Sequence, residues 1–376
     1  MSVNHMSRRS TDHQYNIPAF QPNRHYIDHK KEYDDIIGEV LASENHILGK
    51  YTEQLEHEVA QRTNRKYAVA VITGTAALYI AIRAMRHLTK IETPKALSTN
   101  YTFAATPETA LANRCILTVN DVDDYGHMQL NGNHNDFDLI LPVHLFGNCM
   151  DYHKMKEFCG NSFVIEDSAQ GFGASFDGIP CGSFGDISCL SFDNKKNLAS
   201  FGQAGMILTN DEKIYSTVKR MRQHGGVNLN NYIGGTNGTI PEIFAATLLH
   251  RLNNYFDDEQ IRRREIATKY ENSFNSLPIT RPKIDSHVTC VWQKYVIRHE
   301  NRDNLIEYLR KKGIQANPAY GYTIDSCDFV EKNSVYSTDS PSSKIWASTS
   351  LTLPLYSELT NEEIDSIIDF TKGYLR

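Results

Sequence analysis

A lysine set just past an apolar strand acts as an amine nucleophile once its charge is suppressed, and Ser191-Phe192-Asp193-Asn194-Lys195-Lys196-Asn197-Leu198 offers two in a row. The run Ile187 to Phe192 precedes them, and Ser191, five residues before Lys196, is placed to hold an anion beside the same amine. Adjacent lysines are also an ordinary solvated pair, and this loop by itself leaves both readings open. Glu166-Asp167-Ser168-Ala169-Gln170 closes the apolar run Phe163 to Ile165. A carboxylate there keeps a pyridinium nitrogen protonated, which turns a ring into an electron sink, and Gln170 stands where it reaches a ring hydroxyl. The competing reading is a capping box for a following helix. Thr73-Gly74-Thr75-Ala76-Ala77-Leu78 follows the run Tyr67 to Ile72. Gly74 permits a tight turn, and the N–H groups of Thr75 and Ala76 would cradle a phosphate at a helix start, unless Thr73 or Thr75 is simply an N-cap. Tyr101-Thr102-Phe103 follows Lys95 to Ser98, where Phe103 either stacks on a flat ring or fills core.

These loops share a position: each lies just beyond the carboxyl end of a strand-length apolar run, where open α/β sheets collect their ligands. The runs Tyr67 to Ile72, Lys95 to Ser98, Cys115 to Val119, Leu139 to Val143 and Phe163 to Ile165 alternate with helical segments such as Ala76 to Met85. That alternation predicts a mostly parallel sheet covered by helices on both faces. Ile187 to Phe192 and Gly205 to Leu208 are joined too briefly for a helical crossover and read as an antiparallel pair at the sheet's far side. Tyr33 to Arg62 reads as two helices with a turn near Ile47 to Gly49. Helices Pro241 to Leu252 and Asp257 to Leu277 lead to a smaller lobe containing strand Val291 to Arg298, helix Arg302 to Lys312 and a last helix from about Thr360. The expected division is a loose, polar and His-rich N-terminal arm over 1–22, a large domain over 23–255 and a small C-terminal α+β domain over 256–376.

A chain of 376 residues exceeds what one core usually serves, and 40% hydrophobic residues suit a protein that buries one. The net charge of -6 and the lack of a basic stripe argue against nucleic acid as partner. Arg262, Arg263 and Arg264 follow Asp257, Asp258 and Glu259 and read as a solvated helix face. The seven cysteines are scattered without a C-x-x-C pair, so neither zinc nor a disulfide framework is expected, and no metal is assigned. Met1 to Phe20 has no apolar run, which predicts a cytoplasmic protein without membrane contact.

Taken in order, Ile17-Pro18, Leu48-Gly49-Lys50, Gly74-Thr75-Ala76-Ala77-Leu78, Tyr101-Thr102-Phe103, Pro142-Val143-His144-Leu145-Phe146-Gly147, Glu166-Asp167-Ser168-Ala169-Gln170, Ser191-Phe192 with Lys196-Asn197-Leu198, Arg222 with His224-Gly225, Pro241-Glu242 with Ala245-Ala246, and Leu353-Pro354-Leu355 span nearly the whole chain. In this combination the sequence resembles the DegT/DnrJ/EryC1/StrS family of nucleotide-sugar aminotransferases. The resemblance implies the fold-type-I architecture of pyridoxal 5′-phosphate enzymes, with pyridoxamine 5′-phosphate as the alternate cofactor form. It implies that Lys196 is the Schiff-base lysine and Lys195 its neighbour, that Asp167 partners the ring nitrogen, that Gln170 contacts the ring hydroxyl and that Phe103 stacks on the ring. Gly74, Thr75, Ala76 and Ser191 would then cradle the phosphate. Asn237 falls where the family has an asparagine reaching across a homodimer interface. The implied reaction moves an amino group from L-glutamate, giving 2-oxoglutarate, to a dTDP-, UDP- or GDP-linked keto-6-deoxy sugar at C3 or C4.

Two positions depart from the family pattern. Gly202-Gln203-Ala204-Gly205 replaces Gly-Glu-Gly-Gly, and Thr239 stands where an arginine is usual. The dehydratase branch of the family carries histidine at the lysine's place, and Lys196 argues against it. A catalytically silent sugar-binding paralogue is the other alternative. His144 reads as a buried structural histidine, and the loops Asn230 to Asn237 and Asn317 to Asp325, with Tyr320 and Tyr322, as the segments that choose nucleotide and sugar.

Overall fold

The computed structural model describes residues 15–132, 136–226, 232–328 and 335–376. Residues 1–14 of the expected arm and residues 230–231 of the Asn230 to Asn237 loop lie outside the described residues. Alternation of buried side chains builds the main sheet. Its strands, among the described residues, are β1 (Tyr67–Val71), β2 (Lys95–Thr99), β3 (Ile116–Asn120), β4 (Leu139–Ile140), β5 (Phe163–Asp167), β8 (Ile187–Ser191), β9 (Gly205–Thr209) and β13 (Val335–Ser337). They lie in the order β1-β9-β8-β5-β4-β2-β3-β13. Only β9 runs against the others. It is inserted between β8 and β1, with Gly205 opposite both Ser191 and Val71, rather than standing at the sheet's far side.

Val69, Val71, Ile187, Cys189 and Ile207 face one layer of helices, chiefly Gly74–Thr89 through Leu78, Ile82 and Met85. The intervening Ala68, Ala70, Leu190, Met206 and Leu208 face Leu55 and Val59 of helix Lys50–Arg62 and Leu248 and Leu252 of helix Glu242–Asn254. A small sheet of β6 (Ser175–Phe176), β7 (Ile179–Pro180) and β10 (Val288–Thr289) lies to one side. A further core gathers helix Phe256–Phe274, β11 (Tyr295–Arg298), β12 (Asn317–Pro318), β14 (Ser350–Leu353) and helix Asn361–Leu375. No helix among the described residues is long and apolar enough to cross a membrane.

Three local expectations are corrected. The strand over Leu139 to Val143 ends at Ile140, since Pro142 has no N–H to give the ladder; only its carbonyl is used, by Asp167 N–H at 2.9 Å. The strand expected from Val291 begins only at Tyr295, because Trp292 adopts a left-handed φ of 50°. The described end of the arm is not loose: Ile17 is buried against the C-terminal core and exchanges backbone hydrogen bonds of 2.9 Å with Gly313 and Gln315.

Glu242 locks two helices at the back of the sheet. Its buried carboxylate accepts Gly49 N–H at 2.8 Å, Tyr51 N–H at 2.7 Å and Thr52 Oγ1–H at 2.5 Å, doing the work of an N-cap that Gly49 lacks a side chain to do. Glu242→Ala strands these donors, and urea unfolding should show a loss of about 2–4 kcal/mol; a loss below about 0.5 kcal/mol, the scale of an exposed side chain, would contradict the capping role.

Candidate active site

The carboxyl ends of β1, β5 and β8 converge. Thr73 caps helix Gly74–Thr89, its Oγ1 accepting Ala76 N–H at 2.8 Å. Gly74 abuts Ser191 so closely that a Cβ at Gly74 would lie 2.7 Å from Ser191 Cβ. A glycine is therefore needed to bring a helix N-terminus against that hydroxyl. The leading N–H groups of Gly74 and Thr75 and the hydroxyl of Ser191 thus lie together at a helix N-terminus, an arrangement of donors that would suit an anion, with the helix dipole behind them. Ala76 departs from expectation, because its N–H is already held by Thr73.

Asp167, at the end of β5, is 5% exposed. Thr106 Oγ1, from the start of helix Ala105–Ala112, donates to its Oδ2 at 2.5 Å, and Ala169 N–H to its Oδ1 at 3.0 Å. Its neighbour Glu166 points to the opposite side of the strand and is wholly enclosed. His144 Nε2 at 2.8 Å, Tyr152 OH at 3.0 Å and Gly182 N–H at 2.8 Å meet Oε1; Ser188 Oγ at 2.5 Å and Phe184 N–H at 3.0 Å meet Oε2. Burial alone would raise its pKa, but the hydrogen bond and charge of His144, then Arg65 and Ser188, outweigh it and bring it to about 2. His144, whose Nδ1 accepts Met150 N–H at 3.0 Å, is committed on both ring nitrogens. That makes it a structural histidine and removes it as a metal ligand beside the buried Cys149 and Cys181.

The two lysines part company. Lys195 is exposed, its Nζ 5.4 Å from the centre of the Phe20 ring. Lys196 is half-buried; burial lowers its pKa, and the charges of Asp167 and Asp193 partly offset that. Its loop is fixed by Lys196 N–H to Asp193 O at 2.8 Å and by Gln293 Nε2 to Lys195 O at 3.0 Å. The charge of Asp167 is felt at Lys196, Ser191 opens the same loop as Lys196, and Gly74 packs on Ser191 from the helix after β1.

Gln170 is buried and its amide is engaged, Oε1 accepting Phe146 N–H at 2.9 Å and Nε2 donating to Tyr320 OH at 2.8 Å. One amide hydrogen is left over from these bonds. Phe103 is 57% exposed, and no ring among the described residues stacks on it. Asn237 is exposed, its Oδ1 accepting Thr239 Oγ1–H at 3.2 Å, and no hydrogen bond among the described residues joins it to Ser191, Asp167 or Lys196. Ala204 packs with Phe192 and Leu198 in a core, where the small side chain is accommodated.

Two contributors are invisible to sequence spacing: Thr106, which orients Asp167, and Lys294, whose Nζ lies 4.9 Å from the centre of the ring of Tyr320, a residue singled out for the sugar pocket and found instead bonded to Gln170. Ser168 Oγ, Thr102 Oγ1 and both side-chain polar atoms of Asn197 are buried without a hydrogen-bond partner. They flank Asp167, Phe103 and Lys196 in sequence. A cleft with an anion cradle, an unstacked aromatic, a held carboxylate, a lysine of suppressed charge and orphaned polar atoms fits a phosphorylated pyridine ring.

Residues 28–372 match the profile of the DegT/DnrJ/EryC1/StrS aminotransferase family. The dTDP-3-amino-3,6-dideoxy-α-D-galactopyranose transaminase of Aneurinibacillus thermoaerophilus is 29% identical, the match covering 95% of this chain and 99% of that protein. The UDP-2-acetamido-2-deoxy-3-oxo-D-glucuronate aminotransferase of Pseudomonas aeruginosa is 28% identical over 76% of this chain and 80% of its own. Among solved structures, S. venezuelae DesV in complex with a ketimine intermediate superposes with a TM-score of 0.89 at 25% identity, covering 96% of this chain and 98% of that one.

A folded pKa near 2 against an ordinary 4.5 means that the contribution of Glu166 is whole above about pH 4.5 and is lost as pH falls toward 2. Glu166→Gln should lower stability at neutral pH by about 3–5 kcal/mol and flatten the decline of the urea midpoint across that acid window. Equal slopes in the two proteins would show that Glu166 is not held this way.

Proposed function

The chain belongs to the DegT/DnrJ/EryC1/StrS aminotransferase family, and from that premise we propose that it moves the amino group of L-glutamate onto a nucleotide-linked keto-6-deoxy sugar, releasing 2-oxoglutarate. Its cofactor is pyridoxal 5′-phosphate. The single observation that carries the reading is a half-buried lysine of suppressed charge within electrostatic reach of a carboxylate that is itself oriented by Thr106. Relatives that act on dTDP- and UDP-linked sugars support the sugar class.

When bound, the cofactor supplies an electron sink for the α-carbon of the amino donor. In this reading the N–H groups of Gly74 and Thr75 and the hydroxyl of Ser191 hold its phosphate, and Phe103 covers one face of its ring. Asp167 keeps a proton at the ring nitrogen, with Thr106 fixing the carboxylate so that one oxygen faces the cleft. Gln170, anchored on Phe146 and Tyr320, presents its remaining amide hydrogen to the ring hydroxyl. Lys196 is both the attachment point and the base. Burial biases its Nζ toward the neutral amine, which would carry a proton from the donor's α-carbon to the cofactor's C4′ in the first half of the cycle and from C4′ to the sugar's amino-bearing carbon in the second. Lys195, turned outward, takes no part. Residues 23–255 form the large domain in this scheme and 256–376 the small one, with Asn237, exposed at the surface, reaching the phosphate of a second copy in a homodimer.

The visible absorbance band of the holoenzyme should bleach on addition of L-glutamate. Lys196→Ala should lack that response while Lys195→Ala keeps it. Asp167→Asn should lower kcat by about 100-fold or more with the fold intact. A wild-type protein that shows no band with added pyridoxal 5′-phosphate would sink the aminotransferase reading and leave the silent paralogue.

A further inference from the structure

One cation in the cleft has no counter-charge. Lys294 Nζ sits over two aromatic faces, 4.9 Å from the centre of the Tyr320 ring and 5.9 Å from that of Phe146, and among the described residues it has neither ion pair nor hydrogen bond. Burial, followed by the positive charges of Lys196 and Lys195, brings its pKa down to about 7. A half-buried ammonium among like charges is unfavourable, and a methionine or leucine would fill the same space against Tyr320 and Phe146 at less cost.

The backbone is nevertheless arranged to put it there. Phe146 and Trp292 both adopt left-handed φ angles, 62° and 50°, which bulky residues avoid. Gly147 packs so tightly on the segment preceding β11 that a Cβ would lie 2.5 Å from Gln293 N. Lys294 N–H donates to Phe146 O at 3.2 Å and Val291 N–H to Gly147 O at 3.0 Å. Gln293 Nε2 ties the same segment to Lys195 O. Two strained residues and three hydrogen bonds thus hold Lys294 between the reactive lysine loop and the wall made by Gln170, Phe146 and Tyr320.

Resting on the aminotransferase reading above but not on the 6-deoxy character of its sugar, we propose that Lys294 is a specificity-determining residue that receives a substrate carboxylate, either that of the amino donor or one carried by the sugar. The phosphate end of the cleft has its own donors at Gly74 and Ser191. Lys294 stands apart from them, where the groups attached to the reacting carbon must lie. A buried cation without its own anion is completed by a ligand's carboxylate through a charge-assisted hydrogen bond.

Binding to the holoenzyme tests this without turnover. Calorimetric titrations with glutarate, with UDP-glucuronate and with UDP-glucose would be run on wild type, Lys294→Met and Lys294→Arg. Lys294→Met should weaken glutarate or UDP-glucuronate by about 10- to 100-fold, and Lys294→Arg should recover part of the loss. Weakening of glutarate alone assigns the donor carboxylate, and of UDP-glucuronate alone the sugar's. Unchanged binding of both carboxylates, or equal weakening of UDP-glucose, which shares the diphosphate but has an uncharged sugar, overturns the proposal. The glutamate-induced bleaching of the wild type is read in parallel, so that failure of the aminotransferase reading is distinguished from failure of the role of Lys294.

Discussion

The enclosed carboxylate of Glu166 is the constraint on which the cleft depends. Its bonds draw in His144 from the loop after β4, Tyr152 from the helix Tyr152–Cys159, the Gly182–Phe184 turn and Ser188 of β8, while Arg65 adds its charge from 3.9 Å. Removing an ionised carboxylate from water is costly, and only a complete shell of donors makes it tolerable. That shell fixes the end of β5 in position and in rotation. Because neighbouring side chains on a strand point to opposite faces, fixing Glu166 on one side fixes Asp167 on the other, toward Thr106 and Lys196.

Much of the cleft was legible because its parts are local. Ser191 and Lys196 share one loop, Asp167 and Gln170 another, and Gly74 opens a helix directly after a strand, so spacing made each a candidate and the family resemblance of the whole set chose between the functional and the bland reading. The same reasoning could not separate the cap from the cradle. Thr73 and Ala76 are spent on each other, which leaves the N–H groups of Gly74 and Thr75 as the unspent donors at the helix start, a matter of hydrogen-bond geometry rather than residue type. Nor could it place Thr106 or Lys294, or pair Tyr320 with Gln170. Each reaches the cleft by tertiary contact from a segment whose sequence reads as an unremarkable helix start, loop or strand.

The strand lengths tell the same story. Leu139 to Val143 and Val291 to Arg298 have the composition of strands, yet both are broken where the chain must turn into the cleft, at Pro142 and at Trp292. Local preference is overridden there, in the segments that carry His144, Phe146 and Lys294. Such conflicts between local preference and global placement are expected to gather at functional sites.

β13 closes the open side of β3, pairing Val335 with Leu117 and Ser337 with Val119 in parallel register. During synthesis β3 leaves the ribosome long before residues 335–337 exist, so its outer row of N–H and C=O groups stays unpaired through most of translation. The sheet that carries the cleft is therefore an adhesive edge until the chain is nearly complete. Ile17 waits in the same way for Gly313 and Gln315. A nascent chain of this topology has a long interval in which an intermolecular strand competes with the correct one, and its yield in a cell is set by how well that interval is shielded.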